Sequence, residues 1–214
     1  MLRGETPAFE ASPRDRFSLV STLRWAPAEE VGFRIHYGMD RVVWPDGSSA
    51  QGSGDLTLGS TVQLLEKGSL ALLLDWSVKL PNAPDDTGLG SDETDTALSI
   101  FANWRRESIS LLAGGGLAIL GDPLQFANQD DAPLASLSAS WTRGPLAAQI
   151  RSGGRLASAR NPADLRSALA LSWSILDDLK IGAEAGLGLT PAAPDSLFRV
   201  WLGWHPPCPW LTAD

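Results

Sequence analysis

Apolar and polar residues alternate with a period of two along most of the chain. In the segment Leu70–Leu80 the even-numbered positions are apolar, and from Asp95 to Arg105 the even-numbered positions again carry Leu, Ile, Ala and Trp. Successive side chains of a strand point to opposite sides, so this alternation predicts strands with one apolar face. No segment combines the spacing of an amphipathic helix with helix caps, so we expect little helix.

The same alternation, bounded by turn residues, predicts eleven strands. They cover residues 15–25, 31–42, 55–65, 69–80, 95–105, 108–120, 133–141, 145–152, 164–175, 179–189 and 197–204. Short strands at regular spacing favour an all-β fold, either an up-and-down barrel or a sandwich. We expect residues 1–14 to be an N-terminal loop segment, residues 15–204 to form the barrel, and residues 205–214 to be a proline-rich tail.

Short and long connections alternate along the chain. The connections after residues 25, 65, 105, 141 and 175 are tight, whereas those after 42, 80, 120, 152 and 189 are longer and rich in Gly, Pro, Asp and Ser. Outer-membrane barrels have short turns on the periplasmic side and long loops outside. A soluble sandwich has no reason to keep this asymmetry, so the pattern favours a transmembrane up-and-down antiparallel β-barrel.

Five tryptophans share a position near strand ends that lead to a short turn or to the tail, on the apolar side of their strands. They are Trp25, Trp104, Trp141, Trp173 and Trp204. Indole has an apolar body and a polar N–H, which suits the interface between lipid and water. We therefore predict that these residues form an aromatic girdle; the alternative is a set of core tryptophans in a soluble barrel.

The opposite side of the strands carries sparse charged residues among Gly, Ala and Ser. The predicted lumen-lining residues are Arg34, His36, Asp75, Lys79, Asp95, Arg105, Arg151, Arg166, Glu184 and Arg199. Long side chains can reach across the space that small residues leave, which suits a polar lumen. Pairing Lys79 with Asp95 is the register that keeps both charges on this side. Arg151, Arg166 and Arg199 lie near the long-loop ends of their strands, where they would favour anions; the alternative is that they pair with lumenal or loop acids and only brace the barrel.

Composition narrows the remaining classes. A net charge of −8 argues against a nucleic-acid partner. A single cysteine, Cys208, excludes an internal disulfide framework. The first 16 residues contain no apolar signal-peptide core, so the chain is either mature, truncated or cytoplasmic. Bacterial barrels have even strand numbers, so an odd count of eleven implies one further strand in the complete protein.

Chemistry-bearing motifs are weak throughout. The glycines of residues 113–121 lack the dinucleotide spacing and lie inside a strand, where they ease curvature or close side-chain approach. His205 and Cys208 alone do not make a metal site. The loop acids Asp85, Asp86, Asp92 and Glu93 do not match a calcium loop. We expect no catalytic residue, metal or cofactor, and hence no enzyme.

Several longer segments resemble one outer-membrane family. They are KLPNAPDDTGLGSDETDTALSIFANW, AGGGLAILGDP, GDLTLGSTVQLLEKGSLALLLDWSVKLP and IGAEAGLGLTPAAPDSLFRVWLGW, within a similarity that spans Phe17 to Trp204. The family is named for the MetA pathway of phenol degradation, and its members are described as transporters. The resemblance implies a Gram-negative outer-membrane barrel that transports small, often aromatic, molecules. Members of that family begin with a signal peptide and an additional strand, and neither is present here.

The leading hypothesis is an outer-membrane β-barrel that acts as a passive channel or transporter for small molecules, aromatic or anionic ones among them. Its partners would be the bacterial outer membrane and a small solute. One alternative is a soluble up-and-down barrel that binds an apolar ligand inside. A second alternative is an outer-membrane lipid hydrolase, in which a lumenal serine would be activated by His36.

Overall fold

The computed structural model describes residues 15–44, 46–83, 89, 93–121, 130–159, 161–193 and 195–204. Its strands are β1 (Asp15–Ala28), β2 (Val31–Val43), β3 (Ser49–Ser53), β4 (Leu56–Lys67), β5 (Leu70–Leu80), β6 (Asp95–Arg106), β7 (Ile109–Leu120), β8 (Asp130–Arg143), β9 (Leu146–Arg155), β10 (Asp164–Ser174), β11 (Leu179–Gly188) and β12 (Ser196–Trp204). Among these residues, no helix is both long and apolar enough to span a membrane.

The strands form one antiparallel sheet in which chain neighbours pair with each other. The order is β1-β2-β4-β5-β6-β7-β8-β9-β10-β11-β12, and β3 pairs only with β2. All eleven predicted strands are therefore present. The predicted segments 1–14 and 205–214 lie outside the described residues.

Strand β3 corrects the prediction that residues 43–54 are only a connection. Its hairpin with β2 is closed by a turn in which the Trp44 N–H donates to the Ser48 carbonyl at 3.0 Å. The Ser48 hydroxyl and N–H both donate to Oδ1 of Asp46, at 2.6 and 2.9 Å. These hydrogen bonds lower the pKa of the exposed Asp46 carboxyl, because they stabilise its charged form. The Pro-Asp-Gly run at residues 45–47 is the sequence signal for such a turn.

Four of the short connections are two-residue hairpin turns. Gly68, Glu107 and Gly144 in three of these turns have positive φ values of 59°, 50° and 55°. The favoured types of two-residue hairpin turn have such values because their twist matches that of the strands. These turns fix the register between neighbouring strands, and therefore which residues share a face.

The two faces of the sheet differ in polarity in the opposite sense to a soluble protein. On one face, large apolar side chains are exposed; the exposed fraction is 38% for Trp141 and 75% for Phe198. On the other, polar residues such as Asn103, Ser138 and Glu184 are buried, with 6% to 8% exposure. The concave side of a curved sheet is the less accessible one, so we call the polar side the inner face and the apolar side the outer face.

A small apolar cluster lies at the rim that carries the long connections. Val42, Ala83 and Leu89 are buried there, with Trp44 and Ala50 packed against them. The cluster joins the β2–β3 hairpin to the β5–β6 connection, whose Asn82 and Ala83 N–H groups donate to Asp55 at 3.2 and 3.3 Å. In the described residues, the buried apolar cluster thus lies at the rim with the long connections, where β2, β3 and the β5–β6 connection meet.

Strands β1 and β12 are the two ends of the pairing path. They are its first and eleventh members, and every consecutive pair on the path is antiparallel, so β1 and β12 run in the same direction. An antiparallel closure between them needs one more strand running the other way. The expectation of a further strand in the complete protein remains a prediction.

Candidate functional site

All ten residues predicted to line the lumen lie on the inner face. The pairings that place them there include Arg34 opposite Gly59, Asp75 opposite Ser99, and Glu184 opposite Arg199. They fall into two groups. One group lies on β2, β5 and β6, which together with the intervening β4 we call the β2–β6 wall. The other lies on β9, β10, β11 and β12, which we call the β9–β12 wall.

The β2–β6 wall is built around Arg34, which bridges two strands. Its guanidinium donates to both carboxylate oxygens of Asp75, at 2.5 and 2.7 Å, and to the Thr61 hydroxyl at 3.2 Å. Thr61 in turn donates to Asp75 at 2.7 Å. The side chain crosses β4 above Gly59, where an added Cβ would lie 2.7 Å from the guanidinium carbon. A small residue thus leaves the space that the long side chain occupies, as the sequence indicated.

The predicted register between β5 and β6 is confirmed. Lys79 lies opposite Asp95, Ser77 opposite Ala97 and Asp75 opposite Ser99. The Lys79 ammonium lies 2.6 Å from the Asp95 carboxylate and 3.7 Å from that of Asp55. On this wall, therefore, Arg34 and Lys79 both have an acidic partner within 4 Å. Arg105 lies near the short-turn rim. In the orientation that satisfies both polar atoms of the Asn103 amide, the amide oxygen accepts a hydrogen bond from the Arg105 Nε at 2.9 Å.

The β9–β12 wall has a different charge balance, with two arginines around one acid. The Glu184 carboxylate is 7% exposed and lies 2.6 Å from the Arg151 guanidinium and 3.9 Å from that of Arg199. The two guanidinium groups are about half exposed, at 45% and 52%. Because one carboxylate faces two guanidinium groups, this cluster carries an excess positive charge.

Arg166 does not join that cluster. Its guanidinium donates to both oxygens of Asp164, at 2.8 and 2.6 Å, two residues earlier on β10. The inner-facing residues of the wall still include five cations and two acids, an excess of three positive charges. The cations are Arg151, Arg155, Arg166, Lys180 and Arg199, and the acids are Asp164 and Glu184.

Strands β7 and β8 separate the two walls with small and apolar side chains. Phe101 of β6 faces inward, and its ring lies directly over Gly114 of β7, where an added Cβ would contact ring carbons. Trp201 lies in the same way over Gly182 of β11. The prediction that glycines of residues 113–121 permit close side-chain approach is confirmed at Gly114. Phe101 could have been found from its parity with Ser99 and Asn103.

Arg155 was missed because the sequence predicts a long connection over residues 153–163. Strand β9 continues through Gly153 and Gly154 to Arg155, which pairs with Leu134 of β8 and Asp164 of β10. Arg155 borders a cavity of about 220 Å³ on the inner face. The double glycine had indicated a turn, but here it forms extended backbone held between two neighbouring strands.

His36 offers little support for hydrolysis. Its Nδ1 lies 2.8 Å from the Thr22 hydroxyl. None of the hydrogen bonds between described residues joins His36 to a serine or a carboxylate, which the predicted serine–histidine pair would require. The described residues also contain no cluster of three or more His, Cys, Asp or Glu side chains able to hold a metal ion. His205, Cys208 and three of the four loop acids lie outside the described residues.

The five predicted girdle tryptophans lie on the outer face near the short-turn rim. Trp25, Trp141, Trp173 and Trp204 are exposed, and Trp104 is half-buried. Trp25 stacks on Phe33 with ring centroids 5.5 Å apart. The Trp204 indole N–H donates to Asp178 in the β10–β11 turn at 3.2 Å. The polar edge of that indole therefore points toward the rim.

Comparisons with known proteins identify the fold. No family model matches the chain. No curated protein matches it. Among solved structures, it is similar to the COG4313 outer membrane channel from Pseudomonas putida F1, with 17% sequence identity and a TM-score of 0.64 over 87% of this chain and 82% of that one. The sheet is therefore an up-and-down antiparallel β-barrel, and the family resemblance inferred from the sequence stays a prediction.

Proposed function

We propose that the protein is a bacterial outer-membrane channel that conducts small solutes through the lumen of its barrel. The observation that carries this proposal is the inverted polarity of the sheet. Exposed Leu, Ile, Val, Phe and Trp cover the outer face, while buried charges and hydroxyls occupy the inner face. In lipid, an apolar outer band is stable and a polar interior is expected. The structural likeness to an outer membrane channel supports the same reading.

Strand length fits this environment. The 11 residues of β5 span about 36 Å along the strand, or about 28 Å along the barrel axis at a tilt of about 40°. An outer-membrane barrel has an apolar band about 25 Å tall. The tryptophans at the short-turn rim would then lie at one membrane interface, as a girdle does.

The soluble-barrel alternative lacks a core. Buried hydrophobic residues in the described part of the chain are Val42, Leu89 and six alanines, and the two larger residues belong to the rim cluster. A soluble barrel that binds an apolar ligand would line its interior with bulky apolar side chains. The inner face instead carries ion pairs.

Two adjacent residues of β10 test the membrane assignment. Leu169 faces outward and is 52% exposed, whereas Ala170 faces inward opposite Glu184. In lipid vesicles, Leu169→Arg should lower the free energy of unfolding by about 2–4 kcal/mol, because it places a charge in the apolar band. Ala170→Arg should cost much less, since its charge lies beside a carboxylate. The opposite ranking, with Leu169→Arg harmless, would indicate a soluble barrel.

The lumen should be narrow and selective. Eight-stranded barrels are filled by their side chains, whereas porins of 16–18 strands hold an aqueous channel. A barrel of about twelve strands lies between these limits, so solutes would pass close to the charged walls. Channel selectivity comes from pore width and from lining charge. No cofactor or covalent chemistry is needed, and we propose that the protein is not an enzyme.

The excess charge of the β9–β12 wall favours anions, and the resemblance to the phenol-degradation family favours small aromatic solutes. Planar bilayers test conduction directly: wild-type protein in KCl should produce discrete conductance steps, and protein that inserts without conducting would refute the channel. Heat-unfolded protein at the same detergent concentration is the matched control.

A further inference from the structure

One guanidinium of the inner face stands apart from the ion pairs. The Arg155 Nε is inaccessible to solvent and has no hydrogen-bond partner within the described part of the chain. The nearest acid in register is Asp164, and both of its oxygens accept from Arg166. Arg34, Arg151 and Arg166, by contrast, each donate to a carboxylate. A buried donor without a partner is unfavourable unless something else supplies the acceptor.

Arg155 borders a cavity that is otherwise mostly apolar. The volume is about 220 Å³, and the lining includes Phe101, Leu134, Ser99, Ser136 and Gly114. The Phe101 ring forms a flat floor because Gly114 lets it lie against the backbone of β7. The cavity spans the strip between the two walls, from Ser99 and Phe101 on β6 to Arg155 on β9.

We propose that this cavity binds a small carboxylate with a compact apolar body. The carboxylate would accept hydrogen bonds from the Arg155 guanidinium, whose planar fork matches two carboxylate oxygens. The body would contact Phe101 and Leu134. The cavity volume of about 220 Å³, below the usual range of ligand pockets of about 300–1,000 Å³, suits a single ring or a short branched chain.

The proposal rests on the channel function, because it makes the cavity a solute subsite on the path through the lumen. It adds the requirement that one ligand carry both a carboxylate and an apolar body. An anion without an apolar body would satisfy Arg155 and leave the Phe101 floor uncovered. A neutral apolar molecule would cover the floor but would gain no charge-assisted hydrogen bond from the Arg155 guanidinium.

Titration calorimetry on the full chain in detergent, with empty micelles as reference, tests the subsite without any need for conduction. The probes are cyclohexanecarboxylate, acetate and cyclohexylmethanol. We expect cyclohexanecarboxylate to bind at least tenfold more tightly than either of the others. Arg155→Gln should weaken its binding at least tenfold, and Phe101→Ala at least threefold. Arg143→Gln, at the short-turn end of β8 and outside the cavity lining, is the matched control and should leave its binding within twofold of wild type.

Two results would overturn the proposal: cyclohexanecarboxylate binding no tighter than acetate, or Arg155→Gln retaining wild-type affinity. Single-channel conductance in KCl, measured on the same preparations, separates this failure from that of the channel function. Conductance without selective binding would refute the proposed subsite and support the channel function. Selective binding without conductance would refute the channel function and indicate a barrel that only binds the ligand.

Discussion

The two charged walls of the barrel use similar residues to different ends. On the β2–β6 wall, Arg34 and Lys79 lie 2.5 and 2.6 Å from Asp75 and Asp95, and the side chains of both pairs are 22% to 28% exposed. On the β9–β12 wall, Arg151, Arg166 and Arg199 are 45% to 52% exposed, and two of them share one acid. On the first wall, these two pairs join charged side chains from different strands. The second wall has more cations than acids, and the three arginines are more exposed to the lumen.

The difference follows from what lies between the charges. Arg34 crosses Gly59 to reach Asp75 two strands away, and Thr61 fills the remaining hydrogen bonds of the carboxylate. Such a network is satisfied internally and adds no net charge. Around Glu184, a single carboxylate cannot neutralise both Arg151 and Arg199. The contrast between the walls predicts that charge removal destabilises the first and changes selectivity in the second.

The largest stability effect is expected on the β2–β6 wall. Asp75→Asn leaves the Arg34 guanidinium without its bidentate partner, so the free energy of unfolding should fall by about 2–3 kcal/mol. Urea unfolding from lipid vesicles, followed by tryptophan fluorescence, measures this change. A loss below about 0.5 kcal/mol would show that the pair does not brace the barrel.

The second-largest loss of stability is expected from a substitution in β7, which lies between the two walls. Gly114→Ala places a Cβ against the Phe101 ring and the Ile100 carbonyl, so it should cost about 1–2 kcal/mol through overpacking. Gly32→Ala is the control, because an added Cβ there has no atom within 4 Å. Equal effects of the two substitutions in the same unfolding assay would contradict the contact between ring and glycine.

The smallest stability effect is expected on the β9–β12 wall. Asp164→Asn breaks a bidentate pair like that of Asp75, but Arg166 is half exposed, so the cost should stay below about 1 kcal/mol. The same variant frees a cation and should raise the preference for chloride over potassium in bilayers. A loss as large as that of Asp75→Asn would remove the distinction between the walls.

Much of this architecture could be predicted from the sequence because strand alternation reports directly on the two faces. The parity of Lys79 and Asp95 was enough to give the β5–β6 register, since a shift by one residue would place both charges on the apolar face. The outward position of the tryptophans followed from the same rule. Strand β3 was missed although Pro-Asp-Gly precedes it, because its residues lack apolar alternation.

Side-chain pairing could not be obtained in this way. Alternation placed Arg151, Arg166 and Arg199 on one face but could not show that Arg166 reaches Asp164, two residues away on its own strand. It also could not reveal Arg155, because Gly153 and Gly154 in sequence resemble a turn. Such details depend on rotamers and on contacts between strands, which a period of two does not encode.

The β9–β12 wall should give the conducting barrel a preference for anions. The reversal potential in a KCl gradient across a planar bilayer measures this preference. A unit charge about 8 Å from an ion in water is worth about 0.5 kcal/mol, with opposite signs for chloride and potassium, so removing two should lower the chloride-to-potassium permeability ratio roughly thirtyfold. Wild type should prefer chloride, and Arg151→Gln/Arg199→Gln should show that reduction, with the charge-neutral change Asp164→Asn/Arg166→Gln altering the ratio by less than about twofold. An unchanged ratio in the double variant, or a wild-type preference for potassium, would contradict the account.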